Sequence, residues 1–226
     1  MIFHLGRTRR NEKPVSICPP PWELYKMPIC LIQKHIAQLS IGASTLRGQG
    51  RGAARTARDY LGTLPLDTFV AGDRAHFRRA LNKHTKRLAG MLPSPPGRRP
   101  PCGVNWGAAR KALNIFLRNA LYNVHLCQCY GLEKMENWLE VPLDNDAAKC
   151  IRRTPPAPRG WTAIKGLTPA VSRAYQRAAA RIAKACGIAR VHLDLRWFRE
   201  NQGPDRECQR AHMGACICQL RKDEEM

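Results

Sequence analysis

Proline runs set how long any helix in this chain can be. Pro19-Pro20-Pro21, the stretch Pro93-Ser94-Pro95-Pro96-Gly97-Arg98-Arg99-Pro100-Pro101 and the stretch Pro155-Pro156-Ala157-Pro158 punctuate its 226 residues. Proline has no N–H to donate and its ring clashes with the preceding turn, so a helix has to end at each run. The segments between them carry apolar residues at a spacing of three and four, the period of a helix with one buried face. The expected fold is therefore all-α or nearly so, a single bundle-like helical domain.

Taken in order, residues 1–26 show no sustained period and read as a flexible basic arm. Met27 to Leu39 has Ile32, Ile36 and Leu39 at helical spacing. The Gly-rich stretch Arg47-Gly48-Gln49-Gly50-Arg51-Gly52 lacks the Lys-Ser/Thr ending of a phosphate loop and reads as a turn. A helix from Ala53 to Leu61 follows. Asp73 caps a longer one reaching Leu92, with Phe77, Leu81 and Leu88 on its apolar face. Next comes the stiff, basic Pro93–Pro101 linker, the expected boundary between N-terminal helices (27–92) and a central helical unit (102–198).

In that unit, Leu113, Phe116, Leu117, Ala120, Leu121 and Val124 form one wide apolar stripe, with Lys111, Asn114 and Arg118 off it. Asp144, after Pro142, stands where a helix cap is expected before Asn145–Arg153. Thr168-Pro169 opens the best-signalled helix of the chain and Gly187 ends it. Val191 to Phe198 alternates apolar and polar residues, which suggests a short extended segment or a packed connector. Residues 199–226 form a polar tail.

Lys and Arg outnumber Asp and Glu by 38 to 17, a formal net charge of +21. Such an imbalance favours polyanionic partners, nucleic acid first and an anionic membrane surface second. No apolar run reaches membrane-spanning length and no signal-peptide core is visible, so a cytoplasmic, intracellular location without membrane partners is expected. The ten cysteines are scattered and fit reduced thiols. Cys208, His212, Cys216 and Cys218 have the chemistry of zinc ligands, but their spacing matches no standard finger, so neither metal nor cofactor is expected.

Two side chains stand out for chemistry. Lys111 lies near the start of one helix and Asp144 opens the next, and side chains there lean back toward the helix starts, so the two can converge on one spot. An amine with a carboxylate beside it suits nucleophilic catalysis with proton transfer. The expected phosphate contacts are Arg110, Arg118, the turn Lys165–Gly166 with Thr168 at a helix start, and the outward-facing Arg173 and Arg177.

Arg110-Lys111-Ala112-Leu113 and Val141-Pro142-Leu143-Asp144 resemble the helix-hairpin-helix DNA glycosylase superfamily, and most of all its archaeal 8-oxoguanine lyase branch. The resemblance spans about fifty residues. Gly103-Val104-Asn105-Trp106-Gly107 departs from the compact hairpin of that superfamily, and no cysteine set matches its iron–sulfur loop. The resemblance implies a base-excision glycosylase/lyase that flips a base out of duplex DNA. Trp106, Trp138 or Trp161 would stack on that base or fill the gap it leaves. Lys111 would attack the sugar as a free amine, which requires desolvation or a neighbouring cation such as Arg110 to lower its proton affinity, and Asp144 would stabilise the positive sugar and shuttle the proton. Three readings stay open: this DNA enzyme, a non-catalytic helical DNA- or RNA-binding protein, and a basic helical protein with a protein partner. Asp194 is the alternative carboxylate to Asp144.

Overall fold

The computed structural model describes residues 28–42, 44–93, 105–161 and 164–202. The expected N-terminal arm and the Cys208–Cys218 cluster lie outside them. Eight α-helices are described: α1 (Ile29–Ser40), α2 (Ala53–Leu61), α3 (Arg74–Met91), α4 (Trp106–Tyr122), α5 (Val124–Tyr130), α6 (Asn145–Arg152), α7 (Pro169–Ala185) and α8 (Leu193–Gln202). Short 3-10 turns at Leu66–Phe69, Leu132–Trp138, Ile164–Gly166 and Arg190–His192 link them. The fold is all-α, with no strand among the described residues.

Capping signals became helix starts through the side chains that carry them. Asp73 accepts the His76 N–H at 2.8 Å, and Thr168 accepts the Val171 N–H at 3.3 Å ahead of Pro169. Each satisfies one of the donors a helix start leaves without a partner. Gly52, at φ 87°, precedes α2, and Gly187, at φ 65°, follows α7 in the left-handed region that glycine enters without strain.

Helix α4 is the axis of the molecule. Its Ala108, Ala109, Ala112, Leu113, Phe116, Leu117 and Ala120 are all within 2 % of complete burial. Helices α1, α2, α3 and α5 pack around it. Together with Leu61, Phe69, Leu81 and Leu88 these residues form the first hydrophobic core, which takes in Leu126, Leu132, Met135 and Leu139 after α4 and Val191 farther along the chain. The helices on either side of the Pro93–Pro101 stretch therefore share one core. A second core begins at Val141 and gathers Leu143, Ile151, Tyr175, Leu193 and Trp197 from α6, α7 and α8.

Several expectations need correction. Val191–Phe198 is helical: Leu193 and Trp197, one helical turn apart, are buried while Leu195 and Phe198 are exposed, so the apparent alternation masked a period of four. Helix α4 stops at Tyr122 because Asn123 caps α5 by accepting the Leu126 N–H, which turns Val124 out of the stripe to 56 % exposure. Leu39 is 65 % exposed, and α1 buries Gln33, Ala37 and Ser40 instead. The Gln33 amide donates to the carbonyls of Leu61 and Leu64, which makes its burial tolerable. Asn114 is buried too and donates to Glu140.

Candidate functional site

One side of α4 is only half buried. Lys111, Ile115, Arg118 and Tyr122 follow one another at helical spacing along it, facing away from the first core. At its N-terminal end the Lys111 Nζ lies 3.4 Å from Oδ2 of Asp144. The lysine side chain is 14 % exposed and the aspartate 40 %. The aspartate divides its work between its two oxygens. Oδ1 accepts the N–H groups of Asp146 and Ala147 and so caps α6, while Oδ2 turns to the amine. The cap thus fixes the carboxylate beside the lysine.

A strap from Trp138 to Asp144 brings the aspartate there. This strap is irregular and buried, so its backbone groups need partners outside a helix. Arg190 donates to the carbonyls of Trp138 and Leu139, and Gln176 of α7 exchanges two hydrogen bonds with the main chain of Val141, at 2.7 and 3.2 Å. Arg110 grips Glu140 with two parallel bonds of 2.9 and 3.1 Å. Because Arg110 adjoins Lys111 in α4, this bidentate pair fixes the strap against the helix that carries the amine.

That role occupies Arg110 fully. It is 5 % exposed, its remaining amino group donates to Thr85, and its guanidinium lies 5.3 Å over the Trp106 ring. It offers no face to a phosphate. Arg118 pairs with Asp194 and also donates to Asn119. Burial lowers its proton affinity, opposed by the nearby Tyr122 and Asp144. Asp144 therefore sits within the field of two cations, Lys111 and Arg118, and Asp194 answers to Arg118 rather than to Lys111.

The pair opens into a cleft of about 600 Å³ whose walls include Thr45, Arg47, Trp161 and Ile164. Trp161 is 9 % exposed and meets Tyr175 edge-on, with its indole N–H lacking an acceptor among the described residues. Trp161 lines this cleft, and Trp106 and Trp138 do not. Trp106 lies beneath Arg110, and Trp138 faces a different cavity. Gly107 allows the Ile164–Gly166 turn to close the cleft: a Cβ there would come within 2.3 Å of the Ile164 carbonyl oxygen. Lys165 and Gly166 belong to this turn, Gly166 is exposed, and Thr168 is engaged as the cap of α7. Arg173 and Arg177 are exposed on α7 and line the cavity that Trp138 faces.

Arg47 and Thr45 line the cleft as well, and no sequence motif marks them for it. Their loop was legible only as a glycine-rich turn, and Gly48 does adopt a positive φ of 78°. No pattern in a turn tells which wall of a distant helix it will face. Among the described residues no group of three or more His, Cys, Asp or Glu side chains is placed to hold a metal ion, and no helix is long and apolar enough to cross a membrane.

The fold and the site define an all-helical protein with a lysine–aspartate pair at the wall of a cleft. No protein-family model, curated protein or solved structure matches the chain.

Proposed function

We propose that this protein acts on nucleic acid, as a DNA base-excision glycosylase/lyase that uses Lys111 as nucleophile and Asp144 as its acid–base partner. The observation that carries the reading is the 3.4 Å approach of the lysine nitrogen to a carboxylate oxygen at the wall of an open cleft. At rest the two form an ion pair. For reaction, Asp144 accepts a proton from the ammonium, and the freed Nζ attacks the anomeric carbon of an extruded nucleotide. The bond from that carbon to the base breaks, the base leaves with the electron pair, and Asp144 returns the proton to it. Opening of the sugar ring leaves an iminium between Lys111 and the sugar carbon. Asp144, a carboxylate again, takes a proton from the carbon next to that iminium, and the 3′ phosphate leaves with the electron pair of its C–O bond, which nicks the strand. Trp161 and Arg47 line the cleft beside the pair, an aromatic side chain for the base and a cation for the backbone. A formal net charge of +21 supports a polyanionic substrate.

The test is strand nicking by the purified chain on duplexes carrying an abasic site or an oxidised purine. Wild type should nick, while Lys111→Gln should lose the activity and still bind the duplex. Nicking retained in Lys111→Gln would remove the assignment. Salt-dependent binding without any nicking would leave the non-catalytic reading in its place.

A further inference from the structure

A second cavity, of about 250 Å³, shares no lining residue with the lysine–aspartate cleft. Helix α3 presents Arg74 and Arg78 to it, one turn apart, and α7 presents Arg173 and Arg177 at the same spacing. All four are exposed, and none has an acidic or hydrogen-bonding side-chain partner among the described residues. The acid that borders the cavity, Glu140, is already held by Arg110 and Asn114. Arg190 at its base is engaged with main-chain carbonyls, and burial lowers its proton affinity, with Glu140 opposing and the charges of Arg74 and Arg110 adding to the effect. Like charges one turn apart destabilise a helix when nothing balances them. Here two such pairs converge on one hollow.

We propose that this arginine cavity is a phosphate-binding site for a nucleic-acid strand. Guanidinium forks match phosphoryl oxygens bidentately, and free guanidiniums converging from two helices can grip one or two adjacent phosphates. The cavity lies below the roughly 300–1,000 Å³ range of pockets that enclose a whole small ligand. It accommodates a phosphate and its neighbouring atoms and leaves the rest of the molecule outside, as a strand lying across the surface requires. The inference rests on the nucleic-acid half of the function proposed above and not on its chemistry.

The experiment is fluorescence anisotropy of the full chain with an undamaged labelled duplex over a range of KCl, comparing Arg173→Gln/Arg177→Gln with a control of equal charge loss, Lys83→Gln/Lys86→Gln. These lysines are exposed on α3 and do not line the cavity. The cavity variant should bind at least about tenfold more weakly than the control, and its log–log salt slope should fall by about two. Circular dichroism melting should show both variants at least as stable as wild type. Equal losses in the two variants would mean that charge acts diffusely and would overturn the site. In a second arm, calorimetry with inorganic pyrophosphate and ATP should show no saturable binding. Tight binding of either, lost in the cavity variant, would overturn the strand in favour of a small phosphorylated ligand. Absence of duplex binding by wild type would remove both this site and the nucleic-acid reading, whereas binding with no nicking would remove only the latter's chemistry.

Discussion

Asp144 carries two roles on two oxygens, and substitution can separate them. Asn at this position keeps an acceptor for the Asp146 and Ala147 N–H groups but loses the charge beside Lys111. Asp144→Asn should therefore melt within a few tenths of a kcal/mol of wild type and lose about a hundredfold or more in nicking rate. Asp144→Ala should lose the activity and about 1 kcal/mol of stability as well. Denaturant melts and single-turnover nicking of both variants check this, and equal stability of the two would contradict the capping role. His84 offers an independent check on the interior. It is 6 % exposed, bonded to Tyr60 at 2.7 Å, and burial, followed by the charges of Lys83 and Arg87, depresses its proton affinity below the ordinary value of 6.5. A group depressed on folding binds protons better in the unfolded chain, so its contribution is present above 6.5 and is lost as pH falls through the folded value. Melting temperature should drop between pH 7.5 and 5, and the drop should shrink in His84→Gln.

At the scale of elements, the decisive piece is the Trp138–Asp144 strap. Its anchors are long polar side chains, and that is why the site was only half legible beforehand. Asp144 as a cap and Lys111 as a helix-face lysine follow from local spacing. The Arg190 and Gln176 bonds that bring them together connect residues far apart in the chain, and no local pattern encodes them. Gln176→Leu should leave the buried N–H and carbonyl of Val141 without partners, at a cost of about 3 kcal/mol. Nicking should fall with it as the strap loosens, while Gln176→Leu melting like wild type would contradict the clamp. Gly107→Ala tests the other wall. The added methyl meets backbone, which cannot turn aside, so destabilisation of about 1–3 kcal/mol is expected in a thermal melt.

For the whole molecule, the helical class and most helix starts were readable because apolar period and capping residues act over a few neighbours. The division into cores was not. The Pro93–Pro101 run marks a break in regular structure, yet Phe77, Leu81 and Leu88 before it and Leu113, Phe116 and Leu117 after it fill one core. The passage between the two cores falls instead at Glu140, a single acid whose partner Arg110 the sequence offered as a surface cation. The pair joins the strap to α4, the helix that carries Lys111, and Lys111 lies 3.4 Å from Asp144 at the end of that strap. The most direct test of Lys111 as nucleophile is borohydride reduction of the chain mixed with an abasic-site duplex, followed by peptide mapping of the protein–DNA adduct. A covalent adduct on Lys111, absent in Lys111→Ala, is the predicted result. No adduct, or one that maps to another lysine and survives Lys111→Ala, would contradict it.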